Sequence, residues 1–253
     1  YDLTRLLVGS EGTLGVITRI ILRLVILPPA RQTLLAGFTD LAQATRTVGR
    51  ILQARLAPCA LEFLDRASLE CVRQWLPFAI PDSTQALLLM EVDGHPHDVQ
   101  DRAAAIADYC QKQEASLVLR AQTPAETEQL WQARKNLSPA AFQLKPHKLS
   151  EDVVVPISLI PELVAQVEGI SREVNLPILC FGHAGDGNIH VNIMYDRDAP
   201  GELQAAEKAV PAFFTVVRKL GGTLSGEHGV GITKSPYIGM ELSQAAIALS
   251  LRL

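Results

Sequence analysis

At 253 residues, 48% of them apolar, the chain can bury one large core or two small ones. A net charge of −4 and a pI near 5.9 leave no electrostatic footprint for nucleic acid, and no Lys/Arg cluster marks an anionic membrane surface. The four cysteines, Cys59, Cys71, Cys110 and Cys180, are widely spaced with no Cys-x-x-Cys, which predicts reduced, buried thiols in a cytosolic protein rather than a disulfide frame or an iron–sulfur site.

The chain opens at Tyr1 without a methionine and runs directly into Leu6-Leu7-Val8-Gly9, which has the character of a domain interior, so a fragment is expected. Gly9, Gly12 and Gly15 recur every third residue, unlike the G-x-G-x-x-G of a dinucleotide fold, and on spacing alone predict a tight turn before a strand over 16–24. The longest apolar run, 20–27, is broken by Arg23 and closed by Pro28-Pro29, so it reads as a strand, too short for a membrane span. Further strands are predicted at 33–38, 60–64, 86–92, 116–120, 150–156, 178–183 and 188–194. Helices are predicted between them at 41–54 after Asp40, 99–113 after Asp98, 125–142 after Pro124, one opening at Ser158 and one from Glu202 to 220. This alternation, with a hairpin late in the chain, predicts an α+β fold: a ferredoxin-like antiparallel sheet backed by helices. A parallel doubly wound sheet would show phosphate-binding glycines at 38–41, where none occur.

The segment Phe181-Gly-His-Ala-Gly-Asp-Gly-Asn-Ile-His190 and the later Ser225-Gly-Glu-His-Gly-Val-Gly231 gather three of the six histidines among glycines. Asp186-Gly187 predicts a two-residue hairpin turn, which would set His183 directly opposite His190. Asn188, His190 and Asn192 then share one face, with Ile189, Val191 and Ile193 on the other. Glu227 and His228 can both enter the same site only if the backbone turns there, as Gly226, Gly229 and Gly231 allow. Imidazoles and a carboxylate with open positions suit Zn, Mn or Fe without selecting among them. A merely solvated hairpin has no need of so many glycines, or of a polar face opposite an apolar one. Arg134 and Ser138, four apart, share a helical face, and Lys148 precedes Ser150-Glu151-Asp152, so a carboxylate clamp stands beside the simpler reading of solvated cations. His95, His97 and His147 lie beside prolines and read as surface residues.

Leu7-Val-Gly-Ser-Glu-Gly-Thr-Leu-Gly-Val-Ile17, Ala60-Leu-Glu-Phe-Leu-Asp65, Trp131-x-Ala-Arg134, Val155-Pro-Ile-Ser158, Gly182-His-Ala-Gly-Asp-Gly-Asn-x-His190 and Gly226-Glu-His-Gly-Val-Gly231 together resemble the FAD-linked oxidases of the vanillyl-alcohol oxidase superfamily. Within it, the chain is similar to the group of glycolate oxidase FAD-binding subunits, D-lactate dehydrogenases and D-2-hydroxyglutarate dehydrogenases. The resemblance implies that residues 1–27 end a FAD-binding domain and that 28–253 form the substrate-binding domain. It implies that Gly12, Thr13, Gly15 and Val16 lie against the flavin. It further implies that His183, His190 and Glu227 ligate a divalent metal, that His228 accepts a proton, and that Arg134, Lys148 and Ser138 hold the substrate carboxylate.

The family's glycine-rich pyrophosphate loop and its usual Asn-Pro-Gly-Lys ending are not in the sequence, so the chain is not expected to retain FAD alone. The expected activity of the intact protein is oxidation of a D-2-hydroxy acid to the 2-oxo acid by hydride transfer to FAD. The partners expected are a small 2-hydroxy carboxylate and a separate electron acceptor, an iron–sulfur subunit being one candidate, in the cytoplasm or peripheral to the membrane through that partner. The alternatives are a metal-dependent hydrolase using the same ligands and a non-catalytic docking domain.

Overall fold

The structure, a computed structural model, describes residues 2–253. A short helix, α1 (Leu3–Val8), is followed by the turn Ser10–Thr13 and then by residues in neither helix nor strand up to Pro29. The strand predicted over 16–24 and 20–27 is therefore absent. Val16, Ile21 and Ile26 are 89%, 93% and 94% exposed, and among the described residues no neighbouring strand offers them backbone partners. An extended segment without a ladder does not become a strand on apolar content alone.

From Ala30 the elements run β1 (Ala30–Phe38), α2 (Leu41–Gln53), β2 (Ala60–Asp65), α3 (Arg66–Val72), β3 (Ala86–Gly94), α4 (Pro96–Lys112) and β4 (Leu117–Arg120). They continue with α5 (Pro124–Lys135), α6 (Leu137–Ala140), β5 (His147–Val154), α7 (Ile160–Val174), β6 (Ile178–His183), β7 (Asn188–Tyr195) and α8 (Glu202–Lys219), then two short helices, α9 (Gly231–Lys234) and α10 (Gln244–Ser250). Among the described residues, seven strands form one open antiparallel sheet in the order β4-β1-β3-β2-β6-β7-β5. The predicted α+β class, an antiparallel sheet backed by helices, is what the chain adopts.

One face of the sheet is covered by α2, α4, α7 and α8. Their buried stripes, such as Val48 and Ile51 on α2 or Phe213, Phe214 and Val217 on α8, meet Phe63, Met90, Val191 and Ile193 from the strands. On the opposite face α3, α5 and α6 cover a smaller core around Leu35, Leu64, Leu87 and Leu179. They leave the upper end of β2, β6, β7 and β5 open, and the polar residues gather there.

The single helix predicted over 125–142 is two. Pro139 has no N–H to donate to the Lys135 carbonyl, so α5 ends at Lys135 and α6 restarts around the proline. Helix α4 starts at Pro96, with Asp98 in its first turn rather than at its cap. Strand β5 begins at His147, so Lys148 lies within the strand instead of preceding it. Cys71, Cys110 and Cys180 are buried free thiols, but Cys59, predicted buried, is exposed in the connection entering β2. Helix α3 was not predicted. It follows from Asp65, a fully enclosed carboxylate that accepts the Ser68 N–H (2.7 Å) at the helix start and the Cys180 N–H (2.7 Å) from β6. Replacing Asp65 with alanine leaves two buried N–H groups without acceptors and is expected to destabilise the fold by roughly 2–4 kcal/mol, read as a lower urea midpoint at unchanged slope.

Candidate metal and carboxylate site

The turn between β6 and β7 has four residues, 184–187, rather than the predicted two. Gly187 takes φ +82° and donates its N–H to the His183 carbonyl (3.1 Å), while the Asp186 carboxylate accepts the Asn188 N–H (3.2 Å). A Cβ at Gly187 would strike the Val155 carbonyl oxygen, so this tighter wrap against the β5 exit needs glycine. The register consequently pairs His183 with Asn188 and His190 with Phe181, not His183 with His190. The slip is even, and side chains alternate with period two, so both histidines keep one face. They sit diagonally, ring centroids 5.5 Å apart and nearly perpendicular.

Glu227 comes to them from the loop after α8. Its Oε1 lies 3.5 Å from His183 Nε2, 3.2 Å from His190 Nε2 and 4.0 Å from His228 Nε2. One ligand atom each from His183, His190 and Glu227 falls within a 4.8 Å group. Ligands held at about 2.1 Å from one ion in tetrahedral array stand roughly 3.4 Å apart, so the separations from Glu227 fit a single small divalent cation. His228, half exposed, stacks on His190 at 5.3 Å and is not required to complete the triad.

Glu62 on β2 faces His183 across the strand pair, and its Oε1 lies 2.6 Å from His183 Nδ1. Its other oxygen accepts from Arg134 Nε at 2.7 Å. Burial alone would raise the Glu62 carboxyl, but the hydrogen bond with His183 and the Arg134 charge bring it below its ordinary value. In return, the hydrogen bond to Glu62 raises His183 above its usual 6.5, despite partial burial. Burial, reinforced by the Arg134 charge, pushes His190 down to about 4. Glu62 was not singled out from the sequence, although an acid inside the strand Ala60–Asp65, between Leu61 and Phe63, needs a buried partner and so carried a signal.

Arg134 packs its guanidinium 5.0 Å from the Phe181 ring centre, and only its Nε is engaged among the described residues, leaving the terminal nitrogens available. Lys148 donates to Ser138 Oγ at 2.6 Å and sits 5.4 Å from the Phe142 ring centre. Desolvation lowers its ammonium below the ordinary value, and no carboxylate pairs with it among the described residues. Ser138 thus joins Lys148 rather than extending an unbroken helical face with Arg134. Asn192, on the same face between His190 and Met194, accepts from Ser150 Oγ (3.0 Å) while its own amide nitrogen has no protein partner among the described residues. His95 and His97 are exposed, as predicted, and His147 is half-buried against Tyr195.

Gly12 adopts φ +79° in the N-terminal turn, where neither it nor Gly15 has any atom within 4 Å of a notional Cβ. Thr13 and Val16 are exposed beside them. This turn reaches the site loop through Glu11, whose carboxylate accepts the Val230 (2.6 Å) and Gly231 (2.7 Å) N–H groups.

Residues 27–253 match the family described as FAD linked oxidases, C-terminal domain, and the chain belongs to that family. It is 40% identical over 247 residues to the glycolate oxidase subunit GlcD of Bacillus subtilis (strain 168), covering 98% of this chain and 53% of that protein. It is 32% identical over 254 residues to a D-lactate dehydrogenase of Anaerostipes hadrus, covering 96% of this chain and 53% of that one. The chain thus spans about half the length of these relatives. Among solved structures, an alkyldihydroxyacetonephosphate synthase shares the fold with TM-score 0.65 at 14% identity, over 95% of this chain and 49% of that one.

A metal at this site competes with the proton on His183, because ligation through Nε2 and donation through Nδ1 to Glu62 require the neutral ring. Affinity for Zn²⁺, measured by chelator competition in the full-length protein, is expected to fall about tenfold per pH unit below a midpoint above 6.5. His190, neutral down to about pH 4, adds no second proton in that range. Glu62→Gln should move the midpoint down while weakening binding at neutral pH by roughly 10- to 100-fold.

Proposed function

We propose that the chain is the substrate- and metal-binding half of a flavin-dependent dehydrogenase that oxidises a small 2-hydroxy acid, of D configuration where chiral, to the 2-oxo acid. The observation that carries this reading is that the His183–His190–Glu227 triad and His228 share one face of the sheet with two cationic groups, Arg134 and Lys148. The relatives named for glycolate oxidation and D-lactate dehydrogenation support the substrate class.

Residues 1–27 belong, in this reading, to the end of a flavin domain, and 28–253 to the substrate domain. The family match from residue 27, the first strand at Ala30 and the uncovered apolar side chains of 16–27 support that division. Gly12, Thr13, Gly15 and Val16 face the flavin. The room left above Gly12 and Gly15 within this chain suits the close approach of a group supplied from outside it.

His183, His190 and Glu227 hold a divalent cation, which when bound lowers the pKa of the substrate hydroxyl and fixes its orientation. Lys148, with Ser138, takes the substrate carboxylate as a point charge, and the free fork of Arg134 takes it in a planar contact. His228 accepts the hydroxyl proton at Nε2, the nitrogen that lies towards the ligand cluster. The flavin, when bound, supplies the acceptor for the hydride leaving Cα. Partial burial of Lys148 and Arg134 strengthens both cationic contacts. The electrons then pass to a separate acceptor, an iron–sulfur subunit being one candidate; that the Bacillus subtilis relative is a subunit supports a partner protein, not its type. No helix among the described residues is long and apolar enough to cross a membrane.

The full-length protein is expected to purify yellow and to reduce a dye with D but not L 2-hydroxy acids. A colourless protein that reconstitutes no flavin, or equal rates with both enantiomers, contradicts the proposal. His228→Asn should lower kcat by roughly 10²- to 10⁴-fold with metal content retained. Lys148→Met should chiefly raise KM for the acid, as expected when a ground-state contact is removed.

A further inference from the structure

Neither the histidine motif nor the carboxylate clamp explains Asp152. It lies on β5, paired with His190 on β7, and is completely buried beneath the loop that carries Glu227 and His228. Its Oδ2 accepts three successive backbone N–H groups, from Gly226 (2.8 Å), Glu227 (2.5 Å) and His228 (3.1 Å). Consecutive N–H groups curled on one point form an anion-binding concavity, and here the chain fills it with its own carboxylate. The curl answers the geometric problem of adjacent residues entering one site. With three N–H groups turned inward to Asp152, the Glu227 and His228 side chains, each about half exposed, both splay to the site side.

The remaining contacts fix Asp152 itself. Lys234 on α9, also buried, donates to Asp152 Oδ1 and, at 2.8 Å, to its backbone carbonyl, with Glu151 3.9 Å away as a further counter-charge. Asp152 Oδ1 stands 3.4 Å from His228 Nδ1. The loop has little freedom to settle elsewhere. A Cβ on Gly226 would lie 2.6 Å from the Asn188 amide group, and one on Gly229 would lie 2.6 Å from the Glu11 carboxylate.

We infer that Asp152, fixed by Lys234, is the positioning residue of this centre: it sets the backbone of 226–228, thereby presents Glu227 to the cation, and holds His228 with Nδ1 towards Asp152 and Nε2 towards the substrate. This rests on the proposed roles of Glu227 and His228. A carboxylate in this place orients an imidazole and supports a ligand without touching substrate, as outer groups around metal sites do.

The test uses the full-length, metal-loaded protein and reads amide hydrogen exchange at 226–228, Zn²⁺ affinity, and kcat against KM. In the parent, the three amides are expected to exchange at least tenfold more slowly than those of exposed turns, although the side chains above them are half exposed. Parent amides exchanging at turn rates would overturn the inference without any variant. In Asp152→Asn, whose single amide oxygen cannot serve both Lys234 and the three N–H groups, protection at these amides should fall at least tenfold. Zn²⁺ affinity should fall roughly 10- to 100-fold, and kcat at saturating metal at least tenfold, with KM within about threefold. A folded Asp152→Asn protein with protected amides, and with Zn²⁺ affinity and kcat within about threefold of the parent, would refute it. If the parent binds no divalent metal, the metal assignment falls, whereas amide protection and the kcat of Asp152→Asn still decide the role of Asp152.

Discussion

The register of the four strands β2, β6, β7 and β5 is the constraint on which the rest of the site depends. It places Glu62 opposite His183, His183 opposite Asn188, and His190 opposite Asp152, so that a band of polar side chains, two residue rows deep, crosses the sheet at its uncovered end. A slip of one residue in any pair would send that band into the apolar face packed by α2, α4, α7 and α8, and bring isoleucines and valines out. The register is therefore enforced by the core on the far side, where Phe63, Ile189 and Val191 are fully enclosed. The site takes its geometry from hydrophobic packing it does not touch.

That geometry has an energetic price. Glu62 and Arg134 are mostly shielded from water, and Asp152 and Lys234 almost wholly so, although desolvating each ion costs several kcal/mol that a pair only partly recovers. Apolar residues of similar volume would stabilise such positions at least as well. The buried Asn188 oxygen and Asn192 amide nitrogen lack protein partners among the described residues, a further cost on the same face. Stability does not account for this concentration of charge and unmet hydrogen bonding at one sheet end. In the proposed reading, presentation of ligands does: Glu62 holds His183 through Nδ1 and Arg134 through its other oxygen, and Asp152 holds the loop beneath Glu227 and His228.

Much of this was legible in the sequence. Alternation in 188–194 gave the polar and apolar faces of β7, the glycines around Glu227 and His228 gave a turning loop, and periodicity placed the long helices within a few residues. The turn at Asp186-Gly187 misled, because its four-residue form is selected by close approach to the Val155 carbonyl, a contact between segments about thirty residues apart. The apolar run 16–27 misled for a related reason: strand formation needs a backbone partner, and among the described residues no strand lies beside it. Glu62, Asp152 and Lys234 were unread because each acts on a side chain or loop distant in sequence, and a lone acid or lysine states its exposure only through the fold. Three histidines among glycines announce themselves, whereas the groups that orient them do not.

The central claim, that His183, His190 and Glu227 form one metal centre, is tested most directly by X-ray absorption on the full-length protein loaded with a single equivalent of Zn²⁺. The account predicts a first shell with two imidazole nitrogens and a carboxylate oxygen at about 2.0–2.2 Å, and loss of the imidazole scattering in the doubly substituted His183→Ala, His190→Ala protein. A shell built only of water oxygens, or one containing imidazoles unaltered by that double substitution, would contradict it.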